Sequence, residues 1–287
     1  MSSPRVAVLG VDRDGPTRML LAALQAEGVP ALHLDQRRFA ELPRGLAIRG
    51  LYLRPVEARR LFAADPGRAS ACEAWTQAWC DLAERIEARV ANRPGAMASN
   101  ASKPYQSQRL MALGFDVPPM LLTDDPGQVL EFEREHGPLI FKSASGVRSI
   151  VRPFDARARS RLDRIRHCPT LFQKRLTGTN VRVHVVGTEA FATEVDSDGL
   201  DYRYAGTEGL ATDLRATTLD VRTRWLCIRA AHELGLPLAG LDLMLADDGR
   251  SYCFEVNPSP AYSWYEDATG QPIARALARW LACADAA

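Results

Sequence analysis

Residues 240–266 read GLDLMLADDGRSYCFEVNPSPAYSWYE, and they contain two short runs in which apolar and polar residues alternate. Alternation of this kind is typical of β-strands that bury one face. An Asp-Gly pair at 248–249 lies between the runs, and this pair is a strong signal for a tight hairpin turn. With the pair at the centre of the turn, counting outward places Asp242 opposite Glu255. Asn257 then points to the same face as Glu255.

This register holds two carboxylates and an amide oxygen close together. Directly opposed residues have Cβ atoms about 5 Å apart, and like charges at that distance destabilise a sheet. The core of the hairpin supplies no basic residue to relieve the repulsion between Asp242 and Glu255. Mg²⁺ would relieve it, because this ion takes oxygen ligands and shares its shell with water and substrate phosphates. The pattern alone also fits an exposed hairpin whose acidic residues face water.

Length and composition indicate a globular protein with more than one unit. The chain has 287 residues, of which 46% are hydrophobic and 25% are charged, and its net charge is +1. A chain of this length usually forms two or three subdomains. The small net charge gives no argument for binding to nucleic acid or to a membrane. No apolar run is long enough to span a bilayer or to act as a signal peptide, so we expect a cytoplasmic protein.

The six cysteines show no spacing typical of zinc sites or of a disulfide framework. We therefore expect reduced thiols in apolar surroundings in the core.

The first third of the chain has the order strand, helix, strand. Buried strands are predicted at 5–10, 31–34 and 50–54, with an amphipathic helix at 17–27. This order predicts a parallel βαβ unit. The glycines after the first strand do not form GxGxxG, so no dinucleotide site is expected. A long helix is predicted over 65–90.

Residues 91–102, ANRPGAMASNAS, are rich in small residues and helix breakers and indicate a domain boundary. Ser102 is the expected N-cap of a helix that runs to 113. Lys103 lies in the first turn of that helix, where a cation opposes the helix dipole. An anionic ligand would explain a lysine at this position, although a tolerated surface lysine fits as well.

Lys142 ends an apolar strand, LIFK at 139–142, and is followed by a loop of small residues, SASG at 143–146. A lysine in this place can reach phosphate oxygens while the N–H groups of the loop point the same way. The basic helix predicted at 157–166 is interpreted as a solvated face that could also serve an acidic peptide.

Residues 181–186, VRVHVV, alternate strictly and follow a strand at 171–176 and a predicted turn at 177–180. The alternation puts Arg182 and His184 on the face opposite three valines. Arg182 is a candidate phosphate clamp. His184 is interpreted as a hydrogen-bonded residue of the sheet and not as a catalyst.

The loop after the partner strand, residues 196–209, is polar and contains Asp201 and Arg203. Loops of this kind often carry function. Helices are predicted beyond it at 219–234 and 270–283, before and after the hairpin.

The order of these residues resembles the ATP-grasp superfamily, and within it the RimK-like ligases and the peptide maturases that make graspetides. The residues that carry the resemblance are Lys103, Lys142, Gln173, Asn180, Arg182, Asp201, Arg203, Asp242, Glu255 and Asn257. The most specific segment is FEVNPSPAYSWYE, and the least specific is FKSASG. The resemblance covers about residues 96–284.

The resemblance implies an α/β protein with an ATP-grasp fold, in which ATP lies between two α+β subdomains. The implied domains are an N-terminal βαβ pre-ATP-grasp domain at 1–95, a central ATP-grasp subdomain at 96–172, and a C-terminal subdomain with the metal site at 173–287.

Each site residue takes an implied role from the family. ATP phosphorylates a carboxylate there, and an amine, or a hydroxyl in ester-forming members, attacks the acyl phosphate. The implied ATP-binding residues are Lys103 and Lys142 at the α/β-phosphates, Ser145 in the loop after Lys142, Gln173, Lys174, Arg175 and Leu176 along the adenine, and Asn180 near the ribose. Arg182 and Arg203 match the catalytic arginines that steady the γ-phosphate and the acyl phosphate. The implied metal ligands are Asp242, Glu255 and Asn257, for Mg²⁺ or for Mn²⁺ in its place.

Two positions depart from the family pattern. Asn180 stands where an acidic residue usually binds the ribose, so the ribose contacts would be weaker or made differently. RimK-like enzymes have an asparagine shortly after the Arg203 position, where this chain reads Tyr-Ala at 204–205. The segment EVDSDGLDYR at 194–203 is more similar to the peptide maturases at this point.

The function implied is that of an ATP- and Mg²⁺-dependent carboxylate–amine ligase that forms an amide on an amino acid or peptide substrate. One alternative is a graspetide-type maturase that forms ester or amide crosslinks in a ribosomal peptide. The segments at 194–203 and 262–266 favour it, whereas a length of 287 residues leaves little room for an added leader-binding element.

A non-catalytic ATP-binding module is a further alternative, and the presence of all three metal ligands argues against it. A carboxylate kinase or a thioester-forming ligase would share every residue named. The partners expected are an amino acid or peptide substrate, with neither nucleic acid nor membrane, and a homodimer is left open.

Overall fold

The structure is a computed structural model, and it describes residues 5–39, 45–143, 151–197 and 211–283. Within these ranges the strands form three sheets, two with four strands and one with five. Helices pack against all three sheets, which confirms the predicted α/β class. No helix in the described ranges combines the length and the hydrophobicity needed to cross a membrane.

The first sheet lies in the N-terminal part of the chain. Its strands are β1 (Arg5–Gly10), β2 (Ala31–Asp35), β3 (Ile48–Leu53) and β4 (Arg89–Ala91). They are parallel and lie in the order β2-β1-β3-β4. The helices of this part are α1 (Gly15–Ala26), a 3₁₀ turn (Gln36–Arg38), α2 (Ala58–Leu61) and α3 (Pro66–Arg85). The predicted parallel βαβ unit is confirmed.

The helix predicted over 65–90 is wrong at its C-terminal end. α3 ends at Arg85, and β4 follows it. Val90 pairs with Leu51 of β3 and is buried. Burial in the sheet therefore outweighs the helical pattern of the local sequence.

The segment predicted as a domain boundary is fixed to the C-terminal half of the chain. It contains α4 (Pro94–Met97) and a 3₁₀ turn (Ala98–Ala101), and α5 (Lys103–Ala112) follows. The buried Asn92 side chain donates to the carbonyl oxygens of Leu238 and Pro258, both at 2.6 Å, and accepts from the N–H of Leu238 at 3.1 Å. The hydroxyl of Ser102 accepts from the N–H of Tyr105, so the predicted N-cap of α5 is confirmed.

The second sheet follows α5 and is antiparallel. Its strands are β5 (Met120–Thr123), β6 (Leu139–Ser143), β7 (Arg152–Pro153) and β8 (Thr170–Lys174), in the order β5-β8-β6-β7. Its helices are α6 (Pro126–His136), α7 (Ala156–Arg159) and a 3₁₀ helix (Leu162–His167).

The continuous basic helix predicted at 157–166 is wrong. α7 stops at Arg159, and a 3₁₀ helix replaces the remainder. Leu162 and Ile165 are both buried in the core of this sheet. Their spacing of three residues matches the three-residue period of a 3₁₀ helix, which puts both side chains on one face.

The third sheet is also antiparallel and contains the hairpin of residues 240–257. Its strands are β9 (Gly178–Val186), β10 (Glu189–Ser197), β11 (Thr212–Thr217), β12 (Leu238–Ala246) and β13 (Ser251–Asn257), in the order β11-β10-β9-β12-β13. Its helices are α8 (Val221–Glu233), α9 (Ser263–Thr269) and α10 (Ile273–Ala282). Val181, Val183 and Val185 of β9 pack in one core with α8, as the alternation predicted.

The turn predicted at 177–180 is wrong, because β9 already begins at Gly178. Asn180 pairs with Met244 of β12 and is therefore a strand residue. Polar and small residues marked this segment as a turn, but a long partner strand extends the pairing through it.

The first and third sheets share one hydrophobic core. It joins Val6 and Val8 of β1 to Leu238 of β12, to Leu277 of α10 and to Tyr262, which lies just before α9. The predicted domain limits at 95/96 and 172/173 stay predictions, and β8 runs across the second of them.

All six cysteines are free. Cys72, Cys227 and Cys253 are buried, as expected for core thiols, whereas Cys168 and Cys283 are exposed. Burial raises the pKa of Cys227 to about 12, so this thiol is inert at neutral pH.

Candidate active site

The hairpin formed by β12 and β13 has the predicted register at the end far from the turn, where Asp242, Glu255 and Asn257 lie. Asp242 lies opposite Glu255, and Gly240 lies opposite Asn257. Two irregularities that offset each other produce this result. The turn is one residue longer than predicted, since the N–H of Ala246 donates to the carbonyl of Arg250 at 2.9 Å. A bulge between Asp242 and Leu243 then restores the pairing.

The neighbouring elements supply the cations that the hairpin itself lacks. Arg182 of β9 lies beside Asp242, with Nη1 2.6 Å from Oδ1, and only 5% of the Arg182 side chain is exposed. Lys103 of α5 lies beside Glu255, with Nζ 3.6 Å from Oε2. The expectation of two unrelieved carboxylates is therefore wrong. Each carboxylate faces a cation brought in by the tertiary fold, and both of these pairs are largely buried.

Gly240 makes the approach of Arg182 to Asp242 possible. A Cβ atom added to Gly240 would lie 2.0 Å from Nη2 of Arg182 and 2.8 Å from Cβ of Pro260. Any side chain at this position would displace the guanidinium group from the site. The requirement here is space, because the glycine contributes no special backbone angle.

A cavity of about 400 Å³ lies between the second and third sheets. Its volume is within the range typical of small-molecule sites. The predicted site residues that line it are Lys142, Gln173, Lys174, Arg175, Leu176, Asn180, Asp242 and Glu255. Its apolar lining comes from Ile140, Val151, Val181, Leu243, Met244 and Phe254. A flat apolar group and a polyanion can therefore lie in it side by side.

The chain uses lysine at only three positions, although it has 36 Lys and Arg residues in total. Lys103 contacts Glu255, and Lys142 and Lys174 line the cavity. Lysine presents a compact charge, whereas arginine presents a wide planar fork. An arginine-rich chain that keeps lysine at these positions alone carries a sequence signal for a site that needs compact cations.

The oxygen ligands available fit a hard cation. Glu255 and Asn257 lie on the same face of β13, and Asp242 lies across from Glu255. Oδ1 of Asn257 accepts from the N–H of Ser259 at 2.8 Å, and a carbonyl oxygen keeps a second lone pair for a metal. The described residues contain no cluster of three His, Cys, Asp or Glu side chains around a metal position. Two carboxylates and one amide oxygen leave coordination places for phosphate and water, which suits Mg²⁺.

His184 is fully buried next to Arg182. Its Nε2 accepts a long hydrogen bond of 3.5 Å from Nε of Arg182, which places the ring proton on Nδ1. The ring also packs edge-on against Tyr265 at 4.8 Å. Burial holds the pKa of His184 well below its usual value, and the Arg182 guanidinium lowers it further. His184 is a neutral sheet residue, as the sequence indicated.

Replacing His184 with glutamine should flatten the pH dependence of stability. The unfolded imidazole gains a proton near pH 6.5 while the folded one does not, so the folded state loses stability as pH falls below about 6.5. The slope contributed by one proton is at most about 1.4 kcal/mol per pH unit. Urea unfolding of both proteins between neutral and mildly acidic pH measures the difference.

The control for this prediction is His232→Gln, because the His232 side chain is 85% exposed. This variant should keep the slope of the wild-type protein. Parallel curves for the wild type and His184→Gln would contradict the prediction.

Two predicted site residues, Ser145 and Arg203, lie outside the described residues, so their roles stay predictions. Sequence reasoning missed Gln106, Asn92 and Arg54. Each is a polar residue with side-chain hydrogen bonds to the backbone of the hairpin or the segment after it. Gln106 could have been noticed, since it lies one turn before Leu110 on the buried face of α5.

Comparison with known proteins places this geometry in a family. Residues 101–281 match the RimK-like ATP-grasp domain. Human beta-citrylglutamate synthase B is 26% identical over 232 residues, which cover 72% of this chain and 58% of that protein. The ribosomal protein bS6–L-glutamate ligase of Escherichia fergusonii is 29% identical over 201 residues, 66% of each protein. The chain thus spans less than two thirds of the length of these relatives.

Solved structures match over almost the whole chain. The ATP-grasp ligase PsnB complexed with a minimal precursor has a TM-score of 0.81 and 26% identity, and the match covers 97% of this chain and 99% of that one. The macrocyclase MdnC of Microcystis aeruginosa, bound with the precursor peptide MdnA, has a TM-score of 0.79 at 18% identity, over 96% and 99% of the two chains. The second match shows the fold alone. The chain has an ATP-grasp fold and belongs to the RimK-like ATP-grasp family.

Proposed function

We propose that this chain is an ATP- and Mg²⁺-dependent ligase that activates a carboxylate as an acyl phosphate and joins it to an amine or a hydroxyl. The observation that carries the proposal is the arrangement of charges at the cavity between the second and third sheets. Lys103 and Arg182 lie there against Glu255 and Asp242, and Lys142 lies in the cavity wall.

The two ion pairs explain how the site can receive a metal–nucleotide complex. Phosphate oxygens can replace the carboxylates as partners of Lys103 and Arg182, and the freed carboxylates can then bind the metal. Each charge keeps an opposite charge beside it throughout, so none is left buried and unpaired. Bound Mg²⁺ supplies charge neutralisation to the phosphates.

In the proposed reaction a carboxylate oxygen attacks the γ-phosphorus, and ADP leaves. The amine or hydroxyl then attacks the acyl carbon, gives up a proton, and inorganic phosphate leaves. Arg182 holds the transferred phosphoryl group, while Lys103 and Lys142 hold the α/β-phosphates. Residues 173–176 and Asn180 line the cavity and would contact the adenine and ribose. Fixed positive charge is the main means of stabilising such a transfer.

A peptide is the substrate that the observations favour over a free amino acid. The peptide-bound ligase PsnB matches this chain over 97% of its length at 26% identity. The second sheet also has a further cavity of about 770 Å³ on its other face. Alternation along β6 and β8 separates the two cavities, because Ile140 and Gln173 line the first while Phe141 and Phe172 line the second.

The charge of the second cavity fits an acidic peptide. Its aromatic floor contains Phe141, Phe154 and Phe172. Its basic residues are Arg152, Arg157, Arg161 and Arg164, against one acidic residue, Asp155. Acidic and apolar residues of one peptide would find partners there. The cavity therefore favours the maturase hypothesis over the joining of two small molecules. In that hypothesis the same peptide supplies both the activated carboxylate and the acceptor.

Mass spectrometry after incubation with ATP and Mg²⁺ tests the function. The samples are acidic peptides translated from reading frames next to the gene, and separately pairs of amino acids. We expect one peptide to lose one water mass for each bond formed, in the presence of ATP only. A joined pair of small substrates would replace the peptide proposal by a simple ligase. Phosphate release without any coupled product would indicate a carboxylate kinase.

A further inference from the structure

Gln106 connects the helix that carries Lys103 to the strand that carries two of the proposed metal ligands. It lies on α5 one turn after Lys103 and is only 3% exposed. Its Nε2 donates to the carbonyl oxygen of Val256 at 2.9 Å, and its Oε1 accepts from the N–H of Val256 at 2.9 Å. One amide side chain therefore satisfies both backbone groups of a single residue.

Val256 lies between Glu255 and Asn257 on β13, which is the edge strand of the third sheet. Its side chain points into the core, and its backbone groups point away from β12 toward α5. An edge strand lacks a neighbour to fix its outer backbone groups. The Gln106 amide replaces that neighbour at the one residue flanked by both ligands.

Helix α5 therefore contacts β13 at two successive residues. Lys103 reaches the side chain of Glu255, and Gln106 holds the backbone one residue later. These two contacts fix where Glu255 and Asn257 lie relative to Lys103. Residues that orient metal ligands commonly change metal affinity when they are altered.

We propose that Gln106 is a positioning residue that fixes the metal ligands Glu255 and Asn257 relative to Lys103. The proposal rests on the metal site proposed above. Gln106 holds the strand in place and does not touch the reacting groups.

A second glutamine offers a matched control. Gln36 is fully buried, donates from Nε2 to the carbonyl oxygen of Val56 at 3.1 Å, and accepts from the N–H of Val56 at 2.7 Å. The two bonds to one backbone residue repeat those of Gln106 on Val256, but they lie beside the first sheet, and Nε2 of Gln36 also donates to Oγ1 of Thr76 at 3.2 Å. Loss of the Gln36 amide should lower stability in the same way without changing a metal site.

The experiment compares full-length wild type, Gln106→Met, Gln106→Glu and Gln36→Met. Mn²⁺ binding in the presence of ADP is followed by electron paramagnetic resonance, and ADP binding without metal is measured separately. Gln106→Met should bind Mn²⁺ about 10- to 100-fold more weakly, the range for residues that orient ligands. Metal-free ADP binding should change less, and Gln36→Met should bind Mn²⁺ like the wild type.

If Gln106→Met does not fold, Gln106→Glu tests the positioning role instead. It keeps an acceptor for the N–H of Val256 but loses the donor for its carbonyl. Its added negative charge would by itself strengthen cation binding, so weaker Mn²⁺ binding by this variant supports positioning.

Three results would overturn the inference. Wild-type Mn²⁺ affinity in both Gln106 variants would remove the positioning role. Failure of both to fold while Gln36→Met folds would make Gln106 a structural residue only. If Mn²⁺ binding by the wild type is absent, or is unchanged by Glu255→Gln, the proposed metal site itself fails, and that result is distinct from the first.

Discussion

Glu255→Gln is expected to lower ATP-dependent turnover by about 10²–10³-fold, by analogy with the loss of one preorganised donor from an active site. The carboxylate is a proposed metal ligand and the partner of Lys103, with Oε2 3.6 Å from Nζ. Glutamine keeps the size of the side chain and one oxygen but loses the charge. Release of ADP with the identified substrate measures the effect, and circular dichroism should show an intact fold.

Asp248→Asn provides the control for this prediction. Asp248 belongs to the same hairpin, but its carboxylate is 42% exposed and pairs with Arg250 at 2.7 Å. Its removal should leave turnover unchanged, since exposed ion pairs contribute little. Wild-type turnover in Glu255→Gln would disprove the metal site.

Lys142→Met is expected to abolish most of the stabilisation that ATP and Mg²⁺ give the wild-type protein. Lys142 lies in the wall of the 400 Å³ cavity, on the strand face that also carries Ile140. At a ligand concentration of about 100 times the dissociation constant, binding stabilises the wild type by roughly 2.7 kcal/mol. A thermal shift assay with and without ATP·Mg²⁺ measures the loss.

The control is Arg134→Met, an exposed cation on α6 that lies outside the cavity lining. It should keep the full shift. If Lys142→Met keeps the full shift as well, Lys142 does not hold the phosphates.

The sequence predicted those features that depend on local pattern. Alternation identified β9 and the hairpin, and the Asp-Gly turn placed Asp242 opposite Glu255. The predicted pairing of Asp242 with Glu255 is correct, although the turn is one residue longer than predicted. The bulge between Asp242 and Leu243 compensates for the extra residue. A register is strongly specified where one face is buried, because a slip by one residue would expose Leu241 and Leu243.

The sequence could not predict contacts between distant segments. Arg182 and Lys103 neutralise the hairpin carboxylates from two other elements, and no local pattern connects these residues to Asp242 or Glu255. The strand β4 was missed for a similar reason, because it depends on pairing with β3 and on the burial of Val90 and Ala91 in cores formed with distant segments. Likewise, the sequence does not show why residue 240 is glycine. The reason is a tertiary contact, because the guanidinium of Arg182 lies where a side chain at 240 would be.

The placement of the three lysines makes the site chemically addressable. Apart from the terminal α-amine, the primary amines of this chain are those of Lys103, Lys142 and Lys174, which all belong to the candidate site. An amine-reactive acylating reagent would therefore modify the candidate site and little else, and each acylation would remove a positive charge. Protection of these three amines by a bound ligand would report occupancy of the site before any substrate is known.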